Sequence, residues 1–240
     1  MRKIAIICDI DGCIVPERGK SWDYQTLEQL IQAIKADHIC FGLSSGRPAG
    51  FQECLARQMQ LTDYCICENG SILMHPMKKI AVPHPDIPKE YLKERPNIRE
   101  KLNQLCEKFP AVIEFGKEIM FSVNAADKSL LTEIMDAATE ILDGVDVDIM
   151  NSGRSIEIIP KGITKAEGLA YWAELQGVTV DSICAIGDGD NDLSILSAAG
   201  TAAAPSNCSE GVRNVVDYVS ESPMVKGILD IVNKRIKGDI

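Results

Sequence analysis

The sequence predicts an α/β protein: a doubly wound parallel-sheet core interrupted by an inserted α+β domain. Three observations carry this. Short, branched apolar runs alternate with segments of helical periodicity in the first third of the chain, and again in the last third. Strands separated by helices pair in parallel, with helices on both faces of the sheet. The middle instead brings strands together with no helix between them, behind the proline-rich stretch "VPHPDIPKEYLKERP", which reads as a linker into an antiparallel sheet. The core is therefore expected over residues 1–83 and 161–240 and the insert over 84–160.

Taken in order, "IAIICDIDG" is a buried strand that runs into two aspartates. "WDYQTLEQLIQAIKA" places Leu27, Leu30, Ile31 and Ile34 at helical spacing, and "HICFGLSS" is a second buried strand. "FQECLARQMQ" follows as a helix, and "DYCICENGSILM" as a strand turning through Asn69-Gly70 into a hairpin. The insert is expected to hold the helix "NIREKLNQLCEKF", strands "AVIEF" and "IMFSVNA" joined near Gly116, the helix "KSLLTEIMDAATEIL", and strands "VDVDIM" and "SIEIIP". The core resumes with the helix "KAEGLAYWAELQG", where Thr164 and Glu167 have capping-box spacing and Gly177 is a stop signal. Strand "SICAIGDGDND", helix "LSILSAAG" and strand "TAAAP" complete the pattern.

Bulk properties narrow the function. A chain of 240 residues with 45% apolar content has material for one large domain or for a core with an insert. The net charge of -10 argues against nucleic acid and anionic lipid as partners. The apolar run in the basic start "MRKIAIICDID" is broken by Asp9, too early for a signal peptide or a membrane span. Nine scattered cysteines without CxxC pairs read as reduced thiols serving as small buried hydrophobes, and a cytoplasmic location is expected.

Open α/β sheets place their sites beyond the carboxyl ends of the strands. There the chain puts Asp9 and Asp11, then "SSGRP" (Ser44 to Pro48), then "GDGDND" (Gly187 to Asp192), with Lys165 in the first turn of a helix. Each alone has an ordinary explanation: a turn, a serine-capped helix start, acids suited to a helix dipole, a solvated lysine. Asp188, Asp190 and Asp192 have calcium-loop spacing, but Leu193 and Ala199 stand where that loop needs glycine and glutamate. The glycines Gly187 and Gly189 fail as a dinucleotide fingerprint because Asp192 takes the third glycine position. Two carboxylates held two residues apart on one strand face repel unless a cation or a proton intervenes. The ordered set at successive strand ends therefore points to a metal or to acid/base work.

In that order, "DIDG", the hydroxyl-Gly of "SSGRP", "ITKAEGL" and "GDGDND" resemble the four motifs of the haloacid dehalogenase superfamily of phosphohydrolases. "ENGSIL" and an insert between the second and third motifs are similar to its Cof-type branch, which carries a large α+β cap on a Rossmann-like core. The resemblance implies a Mg2+-dependent phosphatase acting on a small phosphorylated metabolite, with a sugar phosphate as the leading expectation. Phosphoglycolate is the close rival, and a phosphomutase or a silent phosphate-binding protein are the alternatives. It further implies Asp9 as nucleophile and metal ligand, and Asp11 as general acid/base with its backbone carbonyl on the metal. Asp188 would bind the ion directly and Asp192 directly or through water, with Asn191 positioning groups nearby. Ser45, Gly46 and Lys165 would bind phosphate oxygens, with Ser44 and Lys161 as rivals to Ser45 and Lys165, and Arg47 would face the substrate. The chain departs from the family pattern at Cys13, where threonine is usual. Arg154 and the three histidines (His38, His75, His84) are expected to be surface or turn residues.

Overall fold

A computed structural model describes residues 4–16 and 19–240; the basic start at 1–3 lies outside them. In chain order the elements are β1 (Ala5–Asp9), α1 (Tyr24–Ala36), β2 (Cys40–Ser44), α2 (Ala49–Gln58), β3 (Cys65–Cys67), β4 (Ile72–His75) and β5 (Ile80–Pro83). There follow α3 (Lys89–Lys108), β6 (Ala111–Ile113), β7 (Phe121–Ala125), α4 (Leu131–Ile141), β8 (Val147–Asn151) and β9 (Ile156–Pro160). The chain ends with α5 (Lys165–Gln176), β10 (Ile183–Ile186), α6 (Leu193–Ala198), β11 (Thr201–Ala204), α7 (Glu210–Arg213), β12 (Tyr218–Val219) and α8 (Met224–Lys237). They form two compact units, one from the described residues up to Val82 together with Thr164–Ile240, the other Pro83–Ile163.

The first unit is an α/β fold on an eight-stranded sheet ordered β12-β11-β10-β1-β2-β3-β4-β5. Pairing is parallel from β12 through β3 and turns antiparallel at β3–β4, the hairpin expected around Asn69-Gly70. The central strands β1, β2 and β10 are buried throughout, which is why they read as unbroken apolar runs rather than alternating ones. Ala5 and Ile7 of β1 join Leu169, Trp172 and Ala173 of α5 and Ile195 and Leu196 of α6 in one apolar cluster. The edge strand β5 occupies the start of the stretch read as a linker. Pro83 is tolerated there because an edge leaves its missing N–H without a required partner.

The second unit is a four-stranded sheet ordered β6-β7-β9-β8, antiparallel throughout, with α3 and α4 packed on it. Here α3 begins at Lys89, well before the periodic segment at Asn97, and runs through Pro96. Proline removes a helical hydrogen bond and normally ends the element. Tertiary anchors compensate: the Tyr91 hydroxyl donates to the Ile119 carbonyl at 2.7 Å, and Arg95 donates to the carbonyls of Ile119 and Lys117 at 2.9 and 2.8 Å. Tyr91, Ile98, Leu102 and Leu105 bury one face of the helix through the irregularity.

None of the nine cysteines is in a disulfide, and six are buried. Among the described residues, no helix is long and apolar enough to cross a membrane.

Two close approaches fix α5 against the sheet. A Cβ on Gly168 would lie 2.7 Å from the Cα of Gly70, and one on Gly70 would lie 2.1 Å from the Thr164 carbonyl oxygen. Gly168→Val is therefore expected to destabilise the protein by about 1–3 kcal/mol through overpacking. Gly50→Ala, where a Cβ meets nothing within 4 Å on a helix, should stabilise by about 0.5 kcal/mol. Urea unfolding of both variants checks the contrast.

Candidate active site

The chain lays down β1, β2 and β3 on one side, then returns to place β10, β11 and β12 on the other. The reversal lies between β1 and β10, which pair in parallel with Cys8 opposite Ile186. Such a switch point opens a crevice at the strands' carboxyl ends. Asp9 ends β1, and Asp188 follows β10 by two residues. Because alternate residues share a face, Asp9 points to the same side as Ala5 and Ile7, under α5. Lys165 opens that helix behind a full capping box: Thr164 Oγ1 accepts from the Ala166 amide at 3.1 Å, and Glu167 Oε2 accepts from the Thr164 amide at 3.0 Å.

Lys165 is 2% exposed. Its Nζ donates to Asp9 Oδ1 at 2.7 Å and to Asp192 Oδ1 at 2.5 Å. Burial pushes the Asp9 carboxyl well above its ordinary value, and repulsion from Asp192 adds to this against the opposing pull of Lys165. Burial also works against the Lys165 ammonium, but Asp192 and Asp9 outweigh it and raise its pKa. One buried cation is thus shared by two carboxylates.

The other oxygen of Asp192 accepts the backbone amides of Asp188 and Gly189, both at 3.1 Å. Asp192 thus holds both Lys165 and the GDG loop, and donor atoms of Asp9, Cys13 and Asp188 lie within 4.8 Å of one another beside it. Asn191 is exposed on the same turn. Gly12 makes the approach of Asp188 feasible. It adopts φ +85°, and a Cβ there would lie 2.1 Å from Asp188 Oδ2. Asn207, which carried no signal in the sequence, donates to the Gly12 carbonyl at 3.0 Å and to Asp188 Oδ2 at 3.4 Å. The paired carboxylate oxygens of Asp9 and Asp188 fit a hard divalent ion such as Mg2+. The like-charge pressure on Asp9 is what such a cation relieves.

The second motif forms a tight loop. Ser45 Oγ accepts from the Arg47 amide at 3.3 Å, so the serine braces its own loop while Pro48, not serine, caps α2. Ser44, opposite Asp9 in the sheet register, has a buried hydroxyl with no hydrogen-bond partner. Gly46 packs against Asn69, since a Cβ there would lie 3.0 Å from Asn69 Oδ1. Arg47 meets a protein partner: Nε and Nη2 donate to the two oxygens of Asp11, each at 2.6 Å, with the guanidinium 4.2 Å from the centre of the Phe51 ring. Gln52 was not visible as a site residue. It is fully buried on α2 and its amide nitrogen donates to the carbonyls of Ser45, Arg47 and Ile66 at 3.3, 3.3 and 3.0 Å, locking the loop to β3.

Lys161 lies in the second unit, exposed, 3.9 Å from Asp146. Arg154 is exposed in the β8–β9 turn. His75 ends β4 and His84 follows β5; both are buried, where surface or turn positions were expected, and their Nδ1 atoms accept the amides of Lys78 and Asp86, while His38 is exposed.

A family model described as haloacid dehalogenase-like hydrolase matches residues 6–109 and 116–232. The chain is 28% identical over 236 residues to a phosphoglycolate phosphatase of Methanospirillum hungatei, covering 95% of this chain and 94% of that one. It is 23% identical over 234 residues to a 5-amino-6-(5-phospho-D-ribitylamino)uracil phosphatase of Bacillus subtilis, covering 93% and 92%. The solved structure of a sugar phosphatase of HAD subclass IIB shares the fold, with a TM-score of 0.70, 20% identity and coverage of 98% and 99%.

The strained charge on Asp9 has a pH signature. A carboxyl whose folded pKa is raised binds more protons in the folded than in the unfolded state, so its contribution to stability is lost as pH rises from the ordinary aspartate value, 3.8, through the raised one. In chelator-treated protein, Asp9→Asn is expected to be more stable than the parent at neutral pH, with the gap narrowing on acidification. Urea melts across a pH series measure it; a gap that widens toward acid would contradict the charge assignment.

Proposed function

We propose, for a chain that belongs to the haloacid dehalogenase-like hydrolases, a Mg2+-dependent hydrolysis of small phosphate monoesters through an aspartyl-phosphate on Asp9. The reaction class, phosphoric monoester hydrolysis, follows from the family and from phosphatase relatives matched over nearly their whole length. The observation that carries the finer reading is Lys165, buried between Asp9 and Asp192 at the switch point of the sheet, with a carboxylate oxygen of Asp188 within 4.8 Å of one of Asp9.

On this reading a carboxylate oxygen of Asp9 attacks phosphorus, an O–P bond forms, and the bond to the ester oxygen breaks. Asp11 gives its proton to the departing alkoxide. In the second half a water attacks the phosphorus, Asp11 takes the water's proton, and Asp9 is released with inorganic phosphate. Arg47 grips both oxygens of Asp11, an arrangement that matches the carboxylate required in this second half and fixes its direction. Lys165, the Ser45 hydroxyl and the Gly46 amide would supply donors for phosphoryl oxygens. Asp9, Asp188 and the Asp11 carbonyl would hold Mg2+. When bound, the ion would offset the negative charge of the phosphoryl group and of the carboxylates.

Phosphoglycolate heads the substrate class, supported by the phosphatase of that name matched over 95% of the chain. A sugar phosphate is the second reading, supported by the shared fold of a subclass IIB sugar phosphatase.

With Mg2+ the purified protein should release phosphate from an aryl phosphate, and EDTA should abolish the release. Asp9→Asn is expected to lower kcat by at least about 10³-fold, and Asp11→Asn by about 10²–10⁴-fold. Near-parental turnover in Asp9→Asn would remove the nucleophile assignment. A phosphate-release screen that ranks kcat/KM for phosphoglycolate against sugar phosphates decides the substrate.

A further inference from the structure

We propose that Cys13 is a sulfur donor to the divalent-cation site, which gives that site a preference for thiophilic ions such as Zn2+, Cd2+ or Co2+ over Mg2+. The inference rests on the placement of a metal at Asp9 and Asp188 and extends it to the softness of the donor set.

The geometry is specific. Cys13 is fully buried, and its thiol donates to Asp188 Oδ1 across 3.8 Å. Its sulfur and one oxygen each from Asp9 and Asp188 lie within 4.8 Å of one another. A tetrahedral ion with Zn–S of about 2.3 Å and Zn–O of about 2.1 Å separates sulfur from oxygen by about 3.6 Å. The pair from Cys13 and Asp188 is therefore nearly in place, and small rotations of side chains complete the set. The sulfur is also held firmly by its loop. The amides of Ile14 and Val15 both donate to the Ile10 carbonyl at 2.9 and 2.7 Å, Gly12 N donates to Val15 O at 3.0 Å, and Asn207 clamps the Gly12 carbonyl. The neighbouring Cys8 turns its thiol to the Asp9 carbonyl at 3.2 Å and is not in the donor cluster.

The chemistry follows from ligand class. Carboxylate oxygens alone suit Mg2+, whereas a thiolate adds strong bonding only for softer ions. With Mg2+ the thiol keeps its proton and its hydrogen bond to Asp188. With Zn2+, Cd2+ or Co2+ a sulfur–metal bond forms and the thiol proton leaves to solvent, so binding releases a proton.

The test is a Co2+ titration of the full chain, followed by its near-ultraviolet sulfur-to-cobalt charge-transfer band. Calorimetry of Mg2+ and Cd2+ binding accompanies it, with Cys13→Ser, Cys13→Thr and, as a control thiol, Cys54→Ser. The band should saturate with one equivalent of Co2+ in the parent and in Cys54→Ser, and be missing in both Cys13 variants. Cd2+ affinity should fall on the order of 10-fold or more in those variants, with a smaller change for Mg2+. Co2+ bound without the band, or a band that survives loss of the Cys13 thiol, overturns the proposal while leaving the oxygen site standing. Calorimetry silent for every divalent ion overturns the metal site itself, and this proposal with it.

Discussion

The site is organised around one buried ammonium shared by two carboxylates. Lys165 comes from the start of α5, Asp9 from the end of β1 and Asp192 from the turn after β10. None of the three is stable in the interior by itself. A buried charge persists only when its partners offset the loss of hydration, and removing the lysine would leave two buried carboxylates facing each other without a counter-charge. The three elements therefore have to arrive together, and the place where they meet is fixed by the sheet, since β1 and β10 are neighbours across its reversal. Asp192 transmits the constraint further. Its second oxygen gathers the amides of Asp188 and Gly189, so the position of Lys165 also sets the loop that presents Asp188.

That convergence depends on a packing device away from the charges. For Lys165 to reach Asp9, the first turn of α5 has to sit almost on the turn after β3, and two glycines, Gly70 and Gly168, supply the room. The capping box at Thr164 and Glu167 satisfies amides that an approach this close would otherwise leave without partners. Local hydrogen bonding, a steric allowance and long-range electrostatics thus act on the same few residues, and each is consistent with the others.

The sequence makes the strand-end carboxylates, the capping box and the hairpin at Asn69-Gly70 legible, because each is written as a short local pattern. Periodicity places most elements of both units. It fails where distant contacts override local signals: α3 runs through Pro96 because Tyr91 and Arg95 are tied to backbone carbonyls of the loop before β7, and the edge strand β5 runs into the start of the proline-rich stretch. The supporting residues were the least visible. Gln52 looks like any polar helix residue until its burial is known, and Asn207 touches the site from a loop nearly two hundred positions away from Gly12. Arg47 was visible as a site residue but not its partner, since nothing local to "SSGRP" shows that Asp11 lies within its reach. The family resemblance implies Asp192 as a ligand, and its engagement with Lys165 is a tertiary fact.

The two aspartates of the first motif meet different cations, and the difference suits the two tasks proposed for them. Asp9 has a side chain 6% exposed and faces the ammonium of Lys165, a compact charge that touches one of its oxygens. A nucleophile benefits from this, because few waters solvate it and its other oxygen is not held by the lysine. Asp11 has a side chain 23% exposed and is gripped through both oxygens by Arg47, which in turn rests on Phe51. A group that first gives a proton and later takes one needs a route to solvent and a fixed orientation, and the guanidinium fork supplies the second without closing off the first. Were the two cations exchanged, a planar fork would cover the atom that attacks, and a flexible ammonium would leave the proton-transfer group poorly aimed. The assignment of Asp9 and Asp11 to separate roles therefore has a basis in their surroundings that is independent of their order in the motif.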